Sequence, residues 1–307
     1  MKDSLIKFVN NYTNERLDKV IFNYFLENKY EYSRSCIQKF IEEGQVFVNG
    51  YKIIKKNNKV ENGANICITV SEQRETDLIP KFIDFKIVYE DLEIMVIDKP
   101  NNLVVHPGSG NYTDTLVNAI LYHNQNISDV GEKYRPGIVH RIDKQTTGLL
   151  VIAKSNYSHQ KLSDDFKDRK IYKEYIALVR GVIEEDKGTI NAPIGRSKND
   201  RKRMAVTEIN SKNAITNFCV LERYSNATLV KVNLLTGRTH QIRVHFEYIK
   251  HPIIGDPVYG LRNEKNNLFG QYLHANKLEF SHPKTNEKLS FISQLPIEFS
   301  DKIKEIS

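Results

Sequence analysis

Apolar residues recur with two different periods along the chain, and the change from one to the other divides it. From Thr13, a suitable N-cap, Leu17, Val20, Ile21, Tyr24 and Phe25 follow at helical spacing. A second helix is predicted from a cap at Ser33, with Ile37, Phe40 and Ile41 on one face and Gly44 just past its end. Val46-Phe47-Val48 and Tyr51-Lys52-Ile53-Ile54 flank Asn49-Gly50, the strongest short hairpin signal. Ile66–Val70 reads as one more strand. Residues 1–72 thus read as one small module, and the polar, aperiodic stretch 73–86, broken by Pro80, as a linker. From 87 onward strands dominate. Ile87–Tyr89 turns at Glu90-Asp91 into Ile94–Ile97, and 148–153, 175–179, 218–221, 228–234 and 278–280 follow. Helical periodicity appears near 114–123 and 157–168. Strands mixed with fewer helices, without a βαβ alternation, predict an α+β fold class: a small α/β module, then a larger domain over 87–307.

Composition narrows the setting. A chain of 307 residues, 40% hydrophobic and 27% charged, can bury a core without disulfides or a structural metal. No apolar run approaches the roughly 18 residues of a membrane span. Met1-Lys2-Asp3-Ser4 lacks the basic-then-apolar layout of a signal peptide. Cys36, Cys67 and Cys219 are scattered and form no CxxC pair, which fits a reducing, cytoplasmic setting. The surplus of 45 Lys+Arg over 38 Asp+Glu suits a polyanionic partner, although solubility alone accounts for one of this size. In the first module, Arg16, Lys19, Arg34, Lys39 and Lys52 are candidates for an RNA-binding surface; the simpler reading is a set of solvated cations.

The chain carries no GxxxxGK[ST] loop, no GxGxxG after a strand and no HExxH, so neither cofactor nor metal is expected. Gly108-Ser109-Gly110 lacks the spacing of a nucleophile elbow. The richest segment runs from Arg135 to Leu150. Asp143 within it can be a turn residue whose carboxylate accepts the N–H of Gln145 or Thr146, or a carboxylate kept ionised beside Arg141 to act as nucleophile or base. A second dense segment, Leu235–Phe246, alternates so as to predict a strand with Gln241 and Arg243 on one side and Ile242 and Val244 on the other. Arg243 then either points inward to a buried anion such as Asp143 or makes a surface pair; spacing leaves both open. The basic run Arg196–Arg203, with Arg201, Lys202 and Arg203, reads as a phosphate-gripping loop or a solvated one.

Resemblance adds to this. Gly137–Leu150 resembles the HRLDxxTSGLL signature of the RluA/RluD-type RNA pseudouridine synthases, with Asp143 on the catalytic aspartate. Lys173–Gly181 resembles the KxYxAxVxG motif, placing Tyr175 on the active-site tyrosine, and Gly237–Phe246 resembles the GRTHQIRVHF motif, placing Arg243 on the arginine partner. Leu273–Pro283 is similar to the closing LHAxxLxFxHP stretch; Lys99-Pro100, His106-Pro107 and Arg201–Met204 match lesser blocks. The first module resembles the S4-type RNA-binding domain. Departures are mild: Ile142 for Leu, Thr147 for Ser, Gln145 where an acid is common, Asn101-Asn102 in a turn, and Lys250 for Gly.

The resemblance implies a mixed, mainly antiparallel sheet flanked by helices and conversion of uridine to pseudouridine in RNA without a cofactor. It makes Asp143, Tyr175 and Arg243 catalytic. Arg141 would fill the stack vacated by a flipped uridine, Ile242 would line the pocket and His140 would contact substrate. Large-subunit ribosomal RNA is the expected target, with transfer RNA, or a non-catalytic RNA-binding or assembly role, as alternatives. A monomer without membrane contact suffices. A carboxylate glycosidase would need a second carboxylate, and none is identifiable near Asp143.

Overall fold

The structure, a computed structural model, describes residues 3–28, 30, 32, 34–55, 57–71, 78–108, 111, 113–124, 127–128, 135–197, 200, 203–261 and 267–307. Ser33, Arg201 and Lys202, singled out above, lie outside the described residues, as does the side chain of Lys39. The chain divides into two units, 1–77 and 78–307.

The first unit contains β1 (Asp3–Val9), β2 (Glu15–Arg16), α1 (Leu17–Glu27), α2 (Arg34–Glu42), β3 (Val46–Val48), β4 (Tyr51–Ile53), β5 (Lys59–Val60) and β6 (Asn65–Ser71). Its antiparallel sheet has the order β1-β6-β3-β4. The apolar stripes of α1 (Leu17, Val20, Ile21, Phe25) and α2 (Ile37, Ile41) bury against Ile66 and Ile68 of β6. Asn49 and Gly50 sit at φ of 50° and 83°, as a tight hairpin turn with two left-handed residues requires. The first helix begins at Leu17 and not at Thr13, because Glu15 and Arg16 are extended and paired with Val60 and Lys59. Strand β1, absent from the sequence reading, pairs along its whole length with β6.

The second unit contains β7 (Lys86–Glu90), β8 (Ile94–Lys99), α3 (Leu116–His123), β9 (Thr147–Ala153), α4 (Asn156–Lys167), β10 (Tyr172–Arg180), β11 (Lys187–Asn191), β12 (Ile194–Arg196), β13 (Met204–Val206), β14 (Ile215–Tyr224), β15 (Ala227–Leu234), α5 (Gln241–Tyr248), β16 (Leu273–Ser281), β17 (Lys288–Ile292) and α6 (Ile297–Ile306). Among the described residues its main sheet has the order β11-β14-β15-β10-β16-β9-β8-β7, with β17 beside the second half of β16. Every pairing in it is antiparallel except β9 with β16. Alternation sorts the side chains between two faces. Tyr175, Ala177 and Val179 of β10 face a core that includes Ile242 and Phe246 of α5, whereas Ile176 and Leu178 face Phe299 of α6. Leu149 and Val151 of β9 pack on Leu162 of α4, while Leu150 and Ile152 join the core on the α5 side. Cover on both faces explains why β8 and β9 read as nearly unbroken apolar runs. Residues 78–85, within the stretch read as a linker, carry no regular element but are anchored here: Asn118 Nδ2 donates to the Ile79 carbonyl at 2.9 Å, and Phe85 packs on the core.

One expectation is overturned. The strand predicted over Leu235–Phe246 is a turn followed by a helix, α5 from Gln241. All six residues Gln241–Phe246 are buried, so no polar face survives to display a helical period in the sequence. The local cause is the turn before it. Gln241 Oε1 accepts from the Thr236 hydroxyl and the Arg238 N–H, while its Nε2 donates to the Ile215 carbonyl and Thr216 Oγ1, pinning 236–241 to β14. His240, at φ 57°, reverses the chain into the helix.

Candidate active site

Asp143 lies in the irregular segment entering β9, and Arg243 lies in the first turn of α5. The turn reading of Asp143 holds for its backbone, whose carbonyl accepts the Thr146 N–H at 3.1 Å; its carboxylate is directed elsewhere. Arg243 Nη1 donates to Asp143 Oδ2 at 2.8 Å, and the guanidinium's other edge, Nε and Nη2, forks onto Asp256 at 2.7 and 2.8 Å. Asp256 is fully buried and also accepts the N–H groups of Val258 and Tyr259. It therefore fixes the arginine's orientation, leaving one nitrogen to hold Asp143. Asp256 escaped the sequence reading: Gly255-Asp256-Pro257 looks like any turn, and its partner lies in another element.

Burial alone would raise the Asp143 pKa, but the charges of Arg243, His240 and Arg141 and the Arg243 hydrogen bond hold it below the ordinary carboxylate value. His240 Nε2 stands 3.9 Å from Asp143 Oδ1, and its Nδ1 bonds the Tyr259 hydroxyl at 2.9 Å. Burial, followed by the charge of Asp143, pushes the Tyr175 phenol well above its ordinary value, so it is neutral at pH 7. Beneath the loop, fully buried Lys99 donates to the carbonyls of Pro100, Leu103 and Lys144, tying β8 to the residue after Asp143. Gly148, at φ 106°, lets β9 approach β16: a Cβ there would lie 2.3 Å from the Ala275 carbonyl oxygen.

Asp143, Tyr175, Arg141, His140, Ile242 and Arg243 all line one cavity of about 690 Å³. Among its described lining residues Asp143 is the single carboxylate, amid Arg141, Lys167, Arg169, Lys170, Lys173 and Arg238. The five cations other than Arg141 were missed, although the run Lys167–Lys173 is visibly basic. A cavity so ringed suits a polyanion whose reacting part meets one anion inside. His140 borders it but uses Nε2 to accept the Val151 N–H and stacks on Phe166, with burial pushing its pKa down to about 3. Arg203 is held by Glu247 at 2.7 Å, over the Tyr259 ring, at the end of the β12–β13 hairpin loop. In the first unit, Arg16, Arg34 and Gln38 converge on buried Asp18, and Lys19 pairs with Glu15 at 3.5 Å. Lys52 lies on the exposed hairpin strand β4.

The site is thus a cation-ringed carboxylate on a mixed sheet, held by an arginine that a buried aspartate fixes in turn. Residues 93–248 match the RNA pseudouridylate synthase family. The Bacillus subtilis protein titled uncharacterized RNA pseudouridine synthase YlyB is 44% identical over 292 residues, 95% of this chain and 94% of that one. Ribosomal large subunit pseudouridine synthase D of Pseudomonas aeruginosa is 40% identical, covering 93% and 90%. The solved human RNA pseudouridylate synthase domain containing 1 superposes with a TM-score of 0.58 at 27% identity, over 69% of this chain and 83% of that one. The chain belongs to the RNA pseudouridine synthase family and isomerises uridine to pseudouridine in RNA. Among the described residues no helix is long and apolar enough to cross a membrane.

Proposed function

We propose that the protein modifies large-subunit ribosomal RNA, with Asp143 as its essential carboxylate. The observation that carries the site assignment is the chain Asp143–Arg243–Asp256, in which a buried fork presents one ionised carboxylate to a cation-ringed cavity. The relative named for the ribosomal large subunit aligns over nearly the whole chain, which supports that target.

The reaction breaks the uridine N1–C1′ bond, turns the base, joins C5 to C1′, and moves a proton from C5 to solvent while N1 gains one. An ionised Asp143 can serve at C1′, at the sugar or at uracil C6, and the low pKa that Arg243 maintains suits each of these. Tyr175, neutral and facing the same cavity, packs its ring on the uracil and offers a phenol for proton movement. Ile242 forms part of the wall and His140, neutral and stacked on Phe166, shapes the entrance. A stacked uridine must be extruded at a cost of a few kcal/mol, and Arg141, exposed at the cavity edge, fills the gap it leaves. Arg203, with its sequence neighbours Arg201 and Lys202, which lie outside the described residues, grips the RNA backbone. Residues 1–72 act as an S4-type RNA-binding domain through Arg16, Lys19, Arg34, Lys39 and Lys52; Asp18 holds Arg16 and Arg34 side by side. One chain supplies every residue of the site, so a monomer suffices.

Ribosomal RNA tritiated at uridine C5 tests the proposal, since joining C5 to C1′ expels that hydrogen. The protein should release tritium to water and Asp143→Ala should release none. Release from transfer RNA but not from precursor or mature large-subunit RNA would overturn the target assignment. Full release by Asp143→Ala would overturn the site.

A further inference from the structure

Lys173 lies on β10 two residues before Tyr175, and the two side chains line the same cavity, as alternation along a strand requires. The chemistry assigned to Tyr175 makes no use of Lys173. Its ammonium stands between two elements. It lies 5.4 Å from the centre of the Phe166 ring of α4, and a Cβ built on Gly237, in the turn before α5, would come within 3.8 Å of it. Phe166 and Gly237 line the cavity as well.

The protein does not neutralise this charge. Nearby lysines have carboxylates: Lys170 meets Asp168 at 2.9 Å, Lys231 meets Glu174 at 3.8 Å and Lys277 meets Glu279 at 2.8 Å. Among the described residues none does the same for Lys173, and burial lowers its pKa with no carboxylate raising it. The ammonium is also accessible. It is not one of the buried polar atoms that lack a partner, so, unpaired as it is, it meets open space. A cation over an aromatic face is held weakly and keeps most of its need for an anion. His140, stacked on the same ring, is neutral. Arg238, beside Gly237, donates Nε to the Asn213 carbonyl at 2.9 Å and has no acidic partner among the described residues. Two uncompensated cations thus flank Gly237, whose missing side chain leaves the space next to Lys173 open.

A uracil carbonyl, being uncharged, would leave both charges uncompensated. A phosphate brings anionic oxygens, which Lys binds as a point charge and Arg through its planar fork. An extruded uridine turns about its backbone, so the phosphates that adjoin it follow the base toward the cavity. We infer that Lys173 and Arg238 form a site for a backbone phosphate adjoining the target uridine, holding the extruded nucleotide in place while Tyr175 packs on its base. The inference rests on the reading that the reaction occurs at Asp143.

The test follows tritium release from ribosomal RNA labelled at uridine C5 between about 50 and 200 mM salt. Lys173→Met keeps an apolar stem over Phe166 and should lower kcat/KM roughly 10–100-fold, the worth of one charge-assisted contact. It should also flatten the plot of log kcat/KM against log salt by about 0.7–0.9, the share of one phosphate contact. Its melting point should stay at the wild-type value. Lys173→Arg, which keeps the charge, should keep the slope. Lys231→Met removes an equal charge outside the cavity and should leave both rate and slope unchanged. A rate loss in Lys173→Met with an unchanged slope would overturn the phosphate site, since the ammonium would then meet the base or serve packing alone. A slope flattened equally in Lys231→Met would overturn it too, because the slope would then report net charge. A second arm needs no variant to fold. An amine-reactive acetyl ester, read by peptide mass spectrometry, should modify Lys173 in the free wild-type protein and far more slowly once RNA is bound, with Lys231 equally reactive in both states. Equal reactivity of Lys173 with and without RNA would overturn the site while tritium release left the synthase reading intact. No release by the wild-type protein would refute the reaction site and the phosphate site together.

Discussion

Asp256 never meets the substrate in this scheme, yet replacing it should disable the enzyme in a way that separates position from charge. Its Oδ1 accepts from Arg243 Nη2, Val258 N and Tyr259 N, and its Oδ2 accepts from Arg243 Nε at 2.7 Å. Asp256→Asn can keep the three bonds at Oδ1 but sets an amide donor against the Nε donor and removes the charge. The loss is one charge-assisted bond, about 1.5–3 kcal/mol. Asp256→Ala removes both carboxylate oxygens, leaving two donors of the buried Arg243 guanidinium and the N–H groups of Val258 and Tyr259 without their acceptor, and should cost about 3–5 kcal/mol. At roughly 2–4 °C per kcal/mol for a domain of this size, the alanine variant should melt roughly 6–20 °C lower. Arg243 remains beside Asp143 in either variant, so the carboxylate stays ionised and the acid limb of the pH–rate profile should not move. The rate should fall by about 10²-fold if the released guanidinium lets Asp143 shift by about 1 Å. Arg243→Met provides the contrast. Without the guanidinium, burial governs Asp143, its pKa rises, and the acid limb should move to higher pH. Single-turnover tritium release across pH, beside circular-dichroism melting, reads both effects. An unchanged rate and melting point in Asp256→Ala would refute the positioning role. An acid limb that rises in Asp256→Asn as far as in Arg243→Met would show that Asp256 controls charge and not geometry.

Two further outcomes follow from the same structure. Burial holds the Lys99 pKa at about 7 against 10.5 in the unfolded chain, opposed by Asp143 and Asp98, so between those values the unfolded chain binds more protons and stability rises with pH. Lys99→Met, which removes the donor shared by the carbonyls of Pro100, Leu103 and Lys144, should also lose that rise; denaturant titrations of both proteins below pH 7 and near pH 9 check it, and parallel profiles would refute the assignment. Lys250, at φ 70° where a glycine is common, carries left-handed strain of about 1–2 kcal/mol, partly offset in a glycine by chain entropy. Lys250→Gly should therefore raise stability by about 0.5–1 kcal/mol without changing the rate, and a lower melting point would count against that account.

What the sequence determined by itself is local or repeated. Leu17, Val20, Ile21 and Phe25 mark a helix because one face of it meets a core and the other meets water, so the period is written in composition. Asn49-Gly50 marks a turn because few residues accept positive φ. Asp143, Tyr175 and Arg243 were legible through motifs resembling a known family, and tertiary structure brings all three to one cavity. What it could not determine depends on partners distant along the chain. The segment 241–246 alternates like a strand and folds as a helix, since burial on all sides erases the polar face that would reveal its period. Asp256 became part of the site only when Arg243 turned its second edge toward it, and Lys99 when three carbonyls from two loops closed around its ammonium. The uncompensated charge of Lys173 exists only in the fold, because whether a cation has a counter-ion depends on the residues that folding brings beside it.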